Sequence, residues 1–457
     1  MPRPVVLVAE PLHADALAAL GDAEIRVLDG DDRAALLAAV PDATALLAGP
    51  HTVVDAELLA AAPLLKVVAR AGVRLASIDV AAATQAGVLV VNAPASHDVS
   101  LAELAVGRVL AGARQVGIEL DGRVAGVVGI GRVGALVAQR LAALGMAVIA
   151  HDPDTRPGRA ARLGIRLTDL DTLLAEADVV SIHLPVEPVA RPGQVLVAVE
   201  REYDEETAPV QAHRKAGLAV AGSVRLALAG ELVPDAVNLQ VGRVADEIRP
   251  GLPLAEKLGR ILAALAGGVA RRLDVLVRGE ITEHDVRILE VAALTGFLSE
   301  VVEERVSYVN APVLAAAREV TVRLLTDPES PDYRNLVGLR ATLADGTAIS
   351  VAGTLIGLAQ RERLVELNGF QVDLEPTEHL AFLTYDDRPG VIGTVGRILG
   401  EAGINIAGMQ VSRTGSDGHQ QSQQLIAVCV DSAVPPDTLS AIAAAVAASS
   451  ARAVDLR

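Results

Sequence analysis

The chain has 457 residues, 51% of them hydrophobic and 2% aromatic, with no tryptophan and a formal net charge of −17. That length exceeds one compact core and suggests about three domains, each with an aliphatic interior. The acidic balance argues against nucleic acid and anionic lipid as partners. Without an apolar run of membrane-spanning length, and with a first strand directly at the start, the expectation is a cytoplasmic protein without a leader.

In chain order, "PVVLVAE" (4–10), "ATALLAG" (43–49), "LKVVARAG" (65–72) and "GVLVVNAP" (87–94) read as strands buried on both faces. Helical stretches such as "HADALAALG" and "DRAALLAAV" lie between them, and the alternation predicts a parallel sheet. A helix is expected from Ser100, with Glu103 completing a capping box. The run "GVVGIGRVGALVAQRLAALG" (126–145) reads as strand, glycine turn and helix, and "AVIAHDPD" and "ADVVSIHLP" follow as strands. Residues 191–217 are charged and lack a strand pattern. A helix resumes from Ala219, with His213 in the polar first turn of a helix. Helices are expected at 283–296 and 298–305. Hairpins with type I′ turns are expected at Asp345-Gly346 and Asn368-Gly369. Residues 378–457 read as a βαββαβ unit. The lone Cys429, in "LIAVCVD", reads as a buried inert thiol.

The glycine turn is the strongest chemical signal. Gly129 permits the tight turn, Gly131 allows backbone approach to a pyrophosphate, and Gly134 allows close helix packing, with Arg132 and Val133 between them. Asp152, at the end of the next strand, has the spacing of a ribose 2′-hydroxyl acceptor and favours NAD over NADP. The alternative is a plain strand–helix packing turn. No metal-ligand cluster is apparent.

Taken with "LLKVVARAGVRLASIDVAAATQAGVLVVNAP", "SIHLPVEP", "SVRLALAGELVPDAVN", "RGEITEHDVRILEVAALTG" and "DRPGVIGTVGRILGEAGINIAGMQVSR", the turn resembles the long-form D-3-phosphoglycerate dehydrogenases, within the D-isomer-specific 2-hydroxyacid dehydrogenases. The resemblance implies an α/β fold with doubly wound, Rossmann-like parallel sheets, an α+β intervening domain and a ferredoxin-like ACT domain. The boundaries expected are a substrate domain at 1–97 completed by about 213–234, an NAD domain at 98–212, an intervening domain at 235–377 and the ACT domain at 378–457. It also implies a homo-oligomer that oxidises 3-phosphoglycerate with NAD in L-serine biosynthesis.

The resemblance carries a cofactor-pocket role to His183 and places Arg201, in "QVLVAVERE", where the family holds the substrate. The family's acid–base motifs, resembling L-D-V-F-x-x-E-P and T-P-H-x-G, have no counterpart. Several dozen residues are missing between Glu206 and His213, with a second gap after Gln115. The cofactor sheet is therefore expected to lack its last two strands and to expose an edge at "QVLVAV". Gly49 and Pro50 stand where the family has a basic and a hydroxyl residue, and Arg74 stands at a glycine position, as an anion ligand or as an obstruction. His213 and His51 are the alternative histidines considered, both read mainly as non-catalytic.

In the ACT segment the resemblance carries over Tyr385, Asp387 and Asn405 as serine-effector positions, with helix N–H groups after Pro389 taking the carboxylate. An ACT fold kept only for assembly is the other reading there. Two functions remain open at this stage. One is an NAD-dependent dehydrogenase and the other is a non-catalytic, serine-sensing paralogue.

Overall fold

A computed structural model describes residues 3–186, 191–199, 203–205, 207–234, 236–239, 241, 244–413 and 423–457. The chain divides into two compact units, residues 1–82 with 89–237, and residues 83–88 with 238–457.

The first unit opens with β1 (Val5–Val8), α1 (Ala14–Ala19), β2 (Glu24–Val27), α2 (Arg33–Ala39), β3 (Ala45–Leu47), α3 (Ala56–Ala60), β4 (Val67–Arg70), α4 (Val80–Gln85) and β5 (Leu89–Asn92). The strands form a parallel sheet in the order β2-β1-β3-β4-β5. β1, β3 and β4 are buried along their whole length. β2 was not anticipated, because this edge strand is only half-buried and lacks a continuous apolar run.

The chain continues through α5 (Asp98–Gln115), β6 (Val124–Val128), α6 (Arg132–Ala143), β7 (Ala147–His151), α7 (Pro157–Arg162), β8 (Arg166–Leu167), α8 (Leu170–Glu176), β9 (Val179–Ile182) and β10 (Val195–Val197). α5 starts at Asp98, so Ser100 lies inside the helix and does not cap it. These strands make a second parallel sheet, β10-β9-β6-β7-β8. Among the described residues it has five strands, and β10, which pairs only with β9, forms its edge. α9 (Val210–Leu228) starts nine residues earlier than Ala219 and carries His213 in its first turn. Its Ala216, Val220, Ala221 and Val224 pack with Val6, Val8 and Val67 of the first sheet. Helices and parallel strands in both layers are the doubly wound α/β arrangement.

The second unit contains α10 (Gly251–Ala266), β11 (Arg272–Gly279), α11 (Arg287–Ser299), α12 (Ala311–Ala317), β12 (Thr321–Asp327), β13 (Asn335–Thr342), β14 (Ala348–Ile356), β15 (Arg361–Leu367) and β16 (Phe370–Leu374). Their sheet runs β12-β11-β13-β14-β15-β16, with only the β11–β12 pair parallel. The helix expected at 298–305 does not form, since α11 ends at Ser299 and a turn follows. Neither α10 nor α12 was anticipated. Asn368 and Gly369 both have positive φ, 51° and 81°, as a type I′ turn requires. At 345–346 only Gly346 does, so the expected type I′ turn is replaced by a longer loop that Leu343 and Thr347 close.

The remainder is β17 (His379–Asp386), α13 (Val391–Glu401), β18 (Ile406–Arg413), β19 (Gln423–Val430), α14 (Pro436–Ala445) and β20 (Ser450–Asp455). It forms an antiparallel sheet, β18-β19-β17-β20, with the βαββαβ order of a ferredoxin-like unit. Cys429 is buried in this sheet, its thiol pushed up by burial and donating to the Glu375 carbonyl. Among the described residues no helix is long and apolar enough to cross a membrane, and no cluster of metal-ligating side chains forms.

Candidate functional site

The glycine turn joins β6 to α6. Gly129 has φ +89°, a conformation that strains any residue with a side chain. A Cβ on Gly134 would lie 1.9 Å from the Gly129 carbonyl oxygen, so only glycine lets the helix start this close to the turn. Gly131 caps α6 and has no atom within 4 Å of its Cβ direction, leaving the helix N-terminus open beside the turn. Val133 is half-buried against the core of this sheet. Arg132 faces solvent, paired with Asp98 at 3.0 Å and donating to the Pro94 carbonyl. Burial pushes the Asp98 carboxyl up and Arg132 opposes that shift.

Asp152 follows β7 and turns back toward this loop. One of its carboxylate oxygens accepts the Ile130 N–H at 2.8 Å, and the other accepts the N–H groups of Asp154 and Thr155. Burial alone would raise its pKa, but these donors outweigh it and hold the group below the usual carboxylate range. His183 sits at the end of β9 with its Nε2 2.9 Å from the Ser181 hydroxyl, and its backbone walls the turn beside Gly129. The open cradle, the uncapped helix N-terminus and the ionised acid fit the ADP half of a dinucleotide. Arg201 lies outside the described residues.

A second feature lies at the carboxyl ends of the first sheet, where the strand order reverses between β1 and β3 and ligands of such folds bind. There a cavity of about 390 Å³ is lined by Glu10, Pro11, Leu12, His13, Pro50, Arg70, Ala71, Glu205 and His213. Arg70 ends β4 and is buried between two carboxylates, Glu10 at 3.1 Å and Glu205 at 3.5 Å. Burial pushes the Glu10 carboxyl up to about 7; Arg70 and the Ala71 N–H pull it down, and Glu205 adds a further push upward. Beside this group, the buried His97 holds the Tyr203 hydroxyl at 2.8 Å through Nδ1, and its ring stands edge-on to His213, 6.2 Å between centroids. Burial keeps His97 below its ordinary pKa, hence neutral. Arg74 donates to the Tyr203 carbonyl, while His51 is exposed on the loop after β3.

Sequence reasoning named His213 and Arg74 here but missed Glu10, Arg70, His97, Tyr203 and Glu205. The available signal was a charged residue at or just beyond the end of a buried strand, which Arg70, the last residue of β4, and Glu10, two residues past β1, both display.

In the C-terminal unit, Asp387 is exposed just before α13, whose cap, Gly390, carries no side chain, while Asn405 is exposed beyond the other end of that helix, directly before β18. The Asn405 N–H donates to the Asp431 carboxylate, and the Asp431 N–H donates back to the Asn405 carbonyl. Tyr385 is buried in the hydrophobic core and donates its hydroxyl to Gln424 at 2.6 Å, so, unlike the other two, it does not face solvent.

The family model described as D-isomer specific 2-hydroxyacid dehydrogenase, catalytic domain, matches residues 6–238. The D-3-phosphoglycerate dehydrogenase intervening domain matches 247–368, and the ACT domain matches 379–447. A relative from Mycobacterium leprae named D-3-phosphoglycerate dehydrogenase is 42% identical, with 100% of each chain covered. One of the same name from Archaeoglobus fulgidus is 31% identical over 95% of this chain and 96% of its own. The first alignment spans 531 positions against 457 residues here, so 74 positions (531 minus 457) belong to the relative alone. Among solved structures, the TT0316 protein of Thermus thermophilus is 25% identical over 51% of this chain and 99% of its own, with a TM-score of 0.42.

Proposed function

Since the chain belongs to the D-isomer specific 2-hydroxyacid dehydrogenase family, we propose that it is an NAD-dependent dehydrogenase of L-serine biosynthesis, oxidising the C2 hydroxyl of 3-phosphoglycerate to give 3-phosphohydroxypyruvate. The observation that carries this reading is the intact cofactor turn, Gly129 to Gly134, tied to Asp152. NAD would supply the hydride acceptor for C2 when bound. The turn N–H groups and the α6 N-terminus would hold its pyrophosphate, Asp152 would take the ribose, and His183 would back the pocket.

The substrate carries a carboxylate and a phosphate, and Arg70 supplies positive charge at the cavity that takes it. The hydroxyl proton needs a base, and of the two imidazoles lining this cavity, His13 and His213, it is His213 that is assigned that role. Among the described residues no carboxylate is hydrogen-bonded to its ring. An unoriented imidazole is a poor general base, so turnover is slow compared with relatives that retain the longer segment. Arg201, in its family position, is a further substrate contact in this reading.

The ACT unit supplies an amino-acid effector site. L-Serine places its ammonium on Asp387 and its carboxylate on the N-terminus of α13, at a homo-oligomer interface where a neighbouring subunit brings the start of its second ACT strand, with Asn405, to the ligand. The deciding experiment for the whole reading is NADH formation from 3-phosphoglycerate by the purified full chain. A slow rate that requires both substrates supports it, and no rate above the enzyme-free control at millimolar substrate sinks it.

A further inference from the structure

Glu205 is a side chain in an unusual position. One carboxylate oxygen accepts two backbone N–H groups, from Val73 at 3.2 Å and Arg74 at 3.1 Å. The other is buried with no hydrogen-bond partner, 3.5 Å from the Arg70 guanidinium. A Cβ on Gly72 would lie 2.3 Å from that oxygen, so the floor of the cradle is open only because residue 72 is glycine. Two adjacent N–H groups, one buried guanidinium and a missing side chain form a receptacle for a carboxylate.

The occupant is held by a short segment. Arg74 donates to the Tyr203 carbonyl at 2.5 Å, and the Tyr203 hydroxyl meets His97 at 2.8 Å. The fit is imperfect in charge as well as in bonding. Glu10 already pairs with Arg70 and accepts the Ala71 N–H. Glu205 therefore brings a second buried carboxylate to the guanidinium that Glu10 already holds, with the largely exposed Arg74 guanidinium adding only a long contact at 3.9 Å to its other oxygen, and one oxygen goes unsatisfied.

We propose that Glu205 is a tethered plug, an intrachain carboxylate occupying a receptacle that otherwise binds the carboxylate of a small organic acid, so that ligand and plug compete for Val73, Arg74 and Arg70. This deepens the dehydrogenase reading by giving its anion cavity a built-in inhibitor. It does not depend on turnover, because the competition exists without NAD.

The test is chemical complementation with acetate as the probe. Glu205→Ala empties the receptacle without touching the N–H groups or Arg70. Acetate should then raise the melting temperature of the variant in a saturable way and bind at least tenfold tighter than to the parent chain by calorimetry. Acetamide, of the same shape but uncharged, should do neither. Should Glu205→Ala fail to fold, Glu205→Gln keeps the volume and one acceptor oxygen but not the charge, and it should also bind acetate more tightly than the parent. Acetate affinity unchanged in a folded variant overturns the proposal, as does equal stabilisation by acetamide. Loss of NADH formation alone bears on the dehydrogenase reading and leaves this result standing.

Discussion

The carboxylate of Asp152 accepts the Ile130 N–H at 2.8 Å, tying the end of β7 to the turn that opens α6. The residue assigned to the cofactor ribose is therefore also a structural anchor, since it holds the Asp154 and Thr155 N–H groups as well. Asp152→Ala should lower stability by about 2–3 kcal/mol, from three lost hydrogen bonds at about 1 kcal/mol each. It should also weaken NAD binding at least tenfold, and calorimetry on the folded variant at low temperature separates the two effects.

The cofactor contacts proposed above lie on the adenosine side, around the glycine turn and β7. NAD should therefore bind no more than about tenfold tighter than ADP-ribose, a difference of about 1.4 kcal/mol. Titration of both ligands measures this directly. A larger ratio would show that the nicotinamide half has a wall of its own.

Glu10 gives a pH signature. Its carboxyl rises from 4.5 to about 7 in the folded chain. A raised carboxyl pKa means that the folded state holds its proton more tightly. The associated stability is fully present below pH 4.5 and disappears as pH rises through 7. Glu10→Gln should thus stabilise the chain by on the order of 1–3 kcal/mol at pH 8 and have little effect at pH 4. Denaturant melts at the two pH values provide the check, and an equal effect at both would contradict the assignment.

If His213 takes the hydroxyl proton without an orienting partner, His213→Ala should lower kcat by about tenfold, less than the roughly 10²–10⁴ that a well-positioned base contributes, with KM for NAD unchanged. An unchanged kcat would pass the role to another group.

The serine reading separates Tyr385 from its neighbours. Tyr385→Phe leaves Gln424 buried without its donor and should cost about 1–3 kcal/mol, with serine affinity intact. Asp387→Ala should abolish the serine-induced rise in melting temperature at little cost in stability, because the residue is exposed. The opposite pattern would place Tyr385 in the effector site and Asp387 outside it.

Local rules made much of the fold legible. β1, β3, β4 and β5 announce themselves as short apolar runs because both faces of a parallel sheet are covered. Asn368-Gly369 forms the turn its residues favour. The glycine turn is readable because its requirements are backbone requirements: positive φ at 129 and no Cβ at 134. Where the local signal is weak, reading failed. β2 is half-exposed, and Pro253 and Gly259 interrupt the helical sequence pattern of α10, although the helix itself runs unbroken from Gly251 to Ala266. Gly259 is there because α11 passes so close that a Cβ would lie 2.1 Å from the Ala293 carbonyl oxygen.

What the sequence by itself determined is therefore the alternation of buried strands and helices in the first unit, the βαββαβ order at the end, the cofactor turn and the family. The tertiary structure alone decided that Tyr385 points inward, that Asp152 braces its own turn, and that Glu10, Arg70 and Glu205 meet. Those three residues are separated by 60 and 135 positions in the chain, and no periodicity or spacing rule links them. They come together because parallel strands deliver their carboxyl ends to one edge, and because the segment before α9 returns across that edge with an acid in the right register.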